Sequence, residues 1–162
     1  MHDIPDLIAG LKRSPRVLRD FVQSIPEEKR HQRRGDGFWT IAEHASHLAQ
    51  VQPMLLERLQ RFIDEDRPAF IPYVPADIED DRLPPEMKAA DALESFAHSR
   101  DAQIAVIGTA DDGVWQKIGI HPEYEQYSFT ILVRHILMHD YWHMYRMEEL
   151  WLTRDAYLTT LA

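Results

Sequence analysis

The sequence contains no cysteine, which removes disulfides, thiolate metal ligands and a cysteine nucleophile together. Any metal held by this chain must sit on nitrogen and oxygen. Long hydrophobic runs are missing too: no apolar stretch approaches the roughly 20 residues of a membrane-spanning helix. The opening, Met1-His2-Asp3-Ile4-Pro5-Asp6, has neither the basic start nor the apolar core of a secretory signal. There is no excess of positive charge either. The formal net charge is −9 with histidine neutral, a poor basis for attracting nucleic-acid phosphates or an anionic membrane surface. These absences predict a soluble, cytoplasmic protein with no nucleic-acid or membrane partner.

What is present fits one globular domain over residues 1–162. Apolar residues make up 44% of the chain, enough for a buried core and too many for a disordered segment. The patterning predicts four long helices and almost no strand. Ile4, Leu7, Ile8, Leu11, Val17, Leu18, Phe21 and Val22 recur at helical spacing from about Asp3 to Ile25. Pro15 is expected to kink or split that helix. Thr40-Ile41-Ala42-Glu43 reads as a capping box that starts a second helix. Its stripe is Ile41, Ala45, Leu48, Val51, Leu55, Leu59 and Phe62, with a bend expected at Pro53.

Residues from about Asp64 to Leu83 carry Pro68, Pro72 and Pro75 and the acidic run Glu79-Asp80-Asp81, with no helical period. Pro84-Pro85-Glu86 is read as opening a third helix to about Gly108, with Ala90, Leu93, Phe96, Ala97, Ile104 and Ile107 facing inward. Thr109 to Tyr127 reads as irregular. Ser128 is placed to cap a fourth helix that runs to about Leu152, and the tail from Thr153 to Ala162 can add a short one. The expected fold is all-α: a four-helix bundle with a long crossover connection between helices two and three.

Nine histidines are the main chemical resource of the chain. His2, His31 and His98 lie in polar contexts and are expected in solvent, and His121, before a proline, at the surface. His139 and His143 stand at i and i+4 on the fourth helix, one above the other on one face, where two imidazoles can bind one divalent ion. His135 extends the row. The outer pair, eight residues apart, is separated by about 12 Å along the axis, so His135 and His143 cannot share one ion with nitrogens at about 2.0–2.1 Å. On the second helix His44 and His47 pose a similar choice, since one of them is expected to point at the fourth helix. Spacing alone leaves both choices open.

Three stretches in order resemble the DinB-like (DinB/YfiT) superfamily: Phe38-Trp39-Thr40-Ile41-Ala42-Glu43-His44-Ala45-Ser46-His47-Leu48, His121-Pro122-Glu123-Tyr124, and His139-Asp140-Tyr141-Trp142-His143. The resemblance implies a four-helix bundle, frequent homodimers and a three-histidine divalent metal site. Its ligands would be His47, which precedes the leucine, with His139 and His143. Members of this family are described as hydrolases or as transferring small cytoplasmic thiols, so the implied partner is a small-molecule substrate or thiol. The chain departs from the family pattern at Tyr145, Arg146 and Glu125, where relatives often carry Gly-Gln and Gly. Substrate preference therefore does not carry over.

Three nitrogens leave a coordination position open, where a bound water can fall to a pKa of about 7 or a thiol can ionise. The donor set suits Zn or Ni first, and Fe or Mn also. Glu43, one turn before His47, is placed either to orient that ring or to complete the capping box. Arg146 is placed either to steer an anionic substrate group or to pair with Glu148 or Glu149. The sequence thus predicts a metal-dependent hydrolase or thiol transferase, with a non-catalytic metal-binding or dimeric interaction bundle as the alternative. A bundle with buried neutral histidines and no metal is a third reading.

Overall fold

A computed structural model describes residues 3–72 and 86–152 of the chain. Its helices are α1 (Ile4–Ser24), α2 (Glu27–Arg30), α3 (Ile41–Gln50), α4 (Gln52–Asp64), α5 (Ala89–Ile107), α6 (Asp112–Gln116) and α7 (Phe129–Leu152), with a hairpin of β1 (Ile118–His121) and β2 (Tyr124–Ser128) before α7. Helix α1 packs on α5 and α7, and α3 with α4 packs on the same two. The α1 helix and the α3–α4 pair therefore face each other across a four-helix bundle. The connection from α4 to α5 is long, as expected. Pro75, the acidic run Glu79-Asp80-Asp81, Pro84-Pro85 and the tail from Thr153 lie outside the described residues.

The capping box starts α3 as read: the Glu43 amide donates to Thr40 Oγ1 at 3.1 Å and the Thr40 amide donates to Glu43 Oε2 at 2.6 Å. The two prolines behave differently. Helix α1 continues through Pro15 without a break. The amide missing at Pro15 frees the Leu11 carbonyl, and Ser14 Oγ lies 3.2 Å from that oxygen. Near Pro53 the expected bend is a break at Val51, and Pro53 falls in the first turn of α4, where a missing amide costs nothing. The side-chain amide of Gln52 donates to the Leu48 carbonyl there at 2.6 Å. Ser128 caps α7, its hydroxyl accepting the Ile131 amide at 3.2 Å.

The stretch from Thr109 to Tyr127 is not irregular. It holds α6 and the antiparallel hairpin, whose register shifts between Gly119 and His121. Strand β1 also joins residues 68–70: the Ile120 amide donates to Pro68 O and the Phe70 amide to Ile120 O, both at 2.8 Å. A Cβ at Gly119 would stand 2.8 Å from Pro68 O and 2.9 Å from the Phe70 ring, so only glycine admits this approach.

Two apolar clusters fill the bundle. One gathers Leu11, Leu59, Phe62, Ile107, Phe129 and Ile136; the other gathers Leu18, Ile41, Leu48, Phe96, Met144 and Met147. Between them lies a buried polar layer to which all four bundle positions contribute: Ser14, Gln52, Arg100, Gln103 and Asp140. In the middle of α5 the inward residues are Arg100 and Gln103, and Ala90, expected inside, is exposed. No helix among the described residues is long and apolar enough to cross a membrane.

Candidate metal centre

The polar layer continues into a seam between α3 and α7, where five aromatic side chains converge. His47 Nε2 lies 3.3 Å from His139 Nε2, and His143 Nε2 lies 3.1 Å from the same atom. One ligating atom from each of the three histidines falls within 4.8 Å of the others. Two nitrogens about 2.05 Å from one tetrahedral ion stand about 3.3 Å apart. The spacing therefore fits one ion, and the donor set is all imidazole. His47 and His143 are buried and His139 is partly so.

His44 is brought to the same seam, so the expectation that only one of His44 and His47 points at the fourth helix does not hold. Residues three apart on a helix share a face, and both rings turn toward α7. His44 Nδ1 stands 2.8 Å from His143 Nδ1. With His143 ligating through Nε2, its Nδ1–H donates to His44 Nδ1. This bond fixes the tautomer of both rings, as outer partners of metal-bound imidazoles do. Trp39 closes the seam, its ring centroid 5.0 Å from that of His47 and stacked 5.9 Å from that of His143. His139 Nδ1 is buried with no partner among the described residues.

The other candidates fall outside the triad. His135 packs against Tyr124 with centroids 5.4 Å apart. His121 is buried, not at the surface, between Tyr124 and Tyr127. The alternation Ile118-Gly119-Ile120-His121 points the wrong way, since it would turn the isoleucines inward, whereas the strand exposes both and buries Gly119 and His121. Glu43 serves the capping box and pairs with Arg33, so its carboxylate is engaged away from His47. Arg146 donates to Glu149 Oε2 at 2.7 Å, and both line a cavity of about 630 Å³ with Trp39, His44, Trp142 and His143. A second cavity of about 230 Å³ lies on the His139 side of the triad, between α4 and α7 and against the hairpin.

Burial holds the imidazoles of the seam uncharged. It lowers His44 to about 3, with help from the Arg146 charge, and His139 to about 4, with help from His47. His47 and His143 are lowered by the same loss of solvation. Neutral rings present lone pairs, the form a metal needs. In the unfolded chain these groups titrate near 6.5. Between there and about 4 the unfolded state binds more protons than the folded one, so stability falls as pH falls. Burial also raises Asp140 to about 6, against Arg100 and Ser14, which works in the opposite direction with one proton against four. Urea unfolding of the metal-free protein should therefore show midpoints that drop steadily from pH 6.5 to 4.5. His139→Gln should flatten that slope; an unchanged slope would count against neutral buried imidazoles.

The fold agrees with a solved structure, that of "YfiT from Bacillus subtilis", described as "a probable metal-dependent hydrolase with an unusual four-helix bundle topology". The TM-score is 0.76 at 20% identity, over 90% of this chain and 84% of that one. A protein of Geobacillus thermodenitrificans (strain NG80-2), named "Putative metal-dependent hydrolase", is 31% identical over 72 residues. That match spans 44% of this chain and 40% of the relative's length. Residues 11–154, nearly the whole bundle, match the sequence model of the DinB superfamily, and the chain belongs to that superfamily.

Proposed function

We propose that the protein is a metal-dependent hydrolase of a small molecule, with His47, His139 and His143 holding one divalent ion. The observation that carries this is the pair of Nε2–Nε2 separations, 3.1 and 3.3 Å, on buried or partly buried neutral rings from two helices. The names of the relatives support hydrolysis. When bound, a divalent ion supplies Lewis acidity toward a carbonyl or phosphoryl oxygen and acidifies a water or thiol.

The chain's own part is to fix the donors and limit water. Helix α3, which carries His47, ends at Gln50, and α4 follows directly after Val51. Trp39 covers three of the rings, and the His44 bond holds His143 with its Nε2 turned toward His139. Zn is the first candidate ion and Ni the second for three nitrogens with an open position.

One observation favours the non-catalytic alternative. The nearby carboxylates are committed: Glu43 to the capping box, Asp140 to Arg100 and Glu149 to Arg146. None of these three carboxylates is therefore free to take a proton at the triad. Screening Zn-, Ni- and Mn-loaded protein against esters, amides and thiol-transfer pairs separates the readings. Hydrolysis that disappears with a chelator and returns with the ion is the expected result. Turnover of thiol pairs alone would redirect the assignment to a transferase, and silence with every substrate would overturn the enzyme reading.

A further inference from the structure

The smaller cavity differs from the larger in what stands at its far end. Its near wall is His139. One wall is Val51 and the face of α4 that follows it, through Leu55 and Arg58, and the opposite wall is α7. The hairpin closes it with His121, Tyr124 and Tyr127, whose ring centroids lie 4.8 to 5.6 Å apart.

The polar atoms at that end are mostly donors. His121 Nδ1 accepts the Glu123 amide at 3.2 Å, so the ring proton sits on Nε2. Arg58 spends one Nη2 hydrogen on the Ile71 carbonyl at 2.7 Å, and a guanidinium has five N–H donors. Arg58 is also within hydrogen-bond reach of the Tyr127 phenol, whose own proton is then free to donate elsewhere. Burial holds that phenol neutral, and burial with the Arg58 charge holds His121 neutral. Among the described residues Glu123 is the one carboxylate on the wall, and it is exposed. A permanent cation with neutral N–H and O–H donors around it matches an oxyanion.

We propose that this cavity is the ligand chamber of the triad and takes a small molecule bearing a carboxylate or phosphate group, seated at Arg58, His121 and Tyr127, with the rest of the molecule reaching His139. The inference rests on the reading of the triad as a metal centre and adds the class of ligand. The volume, about 230 Å³, is below the roughly 300–1,000 Å³ of sites for drug-sized molecules, so the ligand is small.

The test is calorimetric titration of chelator-treated protein with inorganic phosphate and, separately, succinate, so that neither anion can bind through an ion at the triad. Wild-type protein should bind at least one of them saturably. Arg58→Gln should weaken that binding by about tenfold or more, as expected for losing hydrogen bonds to a charged partner. Arg58→Lys, which keeps the charge and loses the fork, should fall between. The ion content of Arg58→Gln, measured after reloading, should equal that of wild type. Equal anion affinity in Arg58→Gln and wild type, or no saturable binding of either anion, overturns the seat. If wild-type protein takes up no ion, the metal reading falls instead, and the Arg58 comparison still decides the seat.

Discussion

His143→Ala should bring the ion content of tag-free protein from about one per chain to a small fraction of that. His47→Ala and His139→Ala should do the same. Removing one imidazole would leave two, a poorer donor set for a divalent ion. His143 has a second role, because its Nδ1 is joined to His44 at 2.8 Å. The informative comparison is therefore among all five histidines of the region. His44→Ala keeps three ligating nitrogens and loses only the partner of one, so affinity should fall by roughly 10–100-fold, the usual cost of an outer partner. His135→Ala should leave the ion in place, since that ring packs on Tyr124 in the neighbouring cavity. Elemental analysis gives the content, and competition with a chelator gives the affinity. Retention of the ion by His143→Ala, or equal loss in His135→Ala, would overturn the assignment of the triad.

The sequence carries the elements of this site unevenly. The capping box at Thr40 and the pair at His139 and His143 are local patterns, readable from spacing because helix geometry decides them. The relation of His44 to His47 is not local. Both face α7, and only the packing of α3 on α7 shows that one ring meets His139 while the other meets the far nitrogen of His143. The hairpin is not legible in the sequence because β1 is four residues long and depends on pairing with β2 and with residues 68–70. Pro15 misled in the opposite sense: Ser14 meets the Leu11 carbonyl that the proline leaves open. Arg100 and Gln103 were hidden for a simpler reason. A periodicity drawn through apolar residues alone passes over a polar side chain on the same stripe, and Arg100 is one turn from Phe96 and two from Ile107.

Arg100→Met should lower stability by about 3–5 kcal/mol, the cost of leaving one member of a buried ion pair uncompensated. Arg100 and Asp140 are 1% and 0% exposed, and Arg100 Nη2 donates to both carboxylate oxygens, at 2.9 and 2.7 Å. Ser14 Oγ stands 2.8 Å from the same carboxylate. Arg100 Nε and Nη1 are buried without a partner among the described residues, so the guanidinium is not fully repaid for its lost solvation. A pair of this kind is a poor source of net stability, and replacing both members by apolar residues is often neutral or better. The double variant Arg100→Met with Asp140→Leu should therefore recover most of the loss in urea unfolding. The pair's place in the bundle suggests what it does instead. Asp140 follows His139 on α7, and Arg100 reaches it from α5 across the core, so the pair fixes the rotation of α7 at the level of the triad. With that restraint gone, the double variant should fold at near wild-type stability and yet hold its ion more weakly, by roughly 10–100-fold, as when an outer partner is lost. Wild-type ion affinity in a stable double variant would show that helix packing alone sets the triad. A single Arg100→Met variant that loses less than about 1 kcal/mol would show that the ion pair is not held in a water-free core.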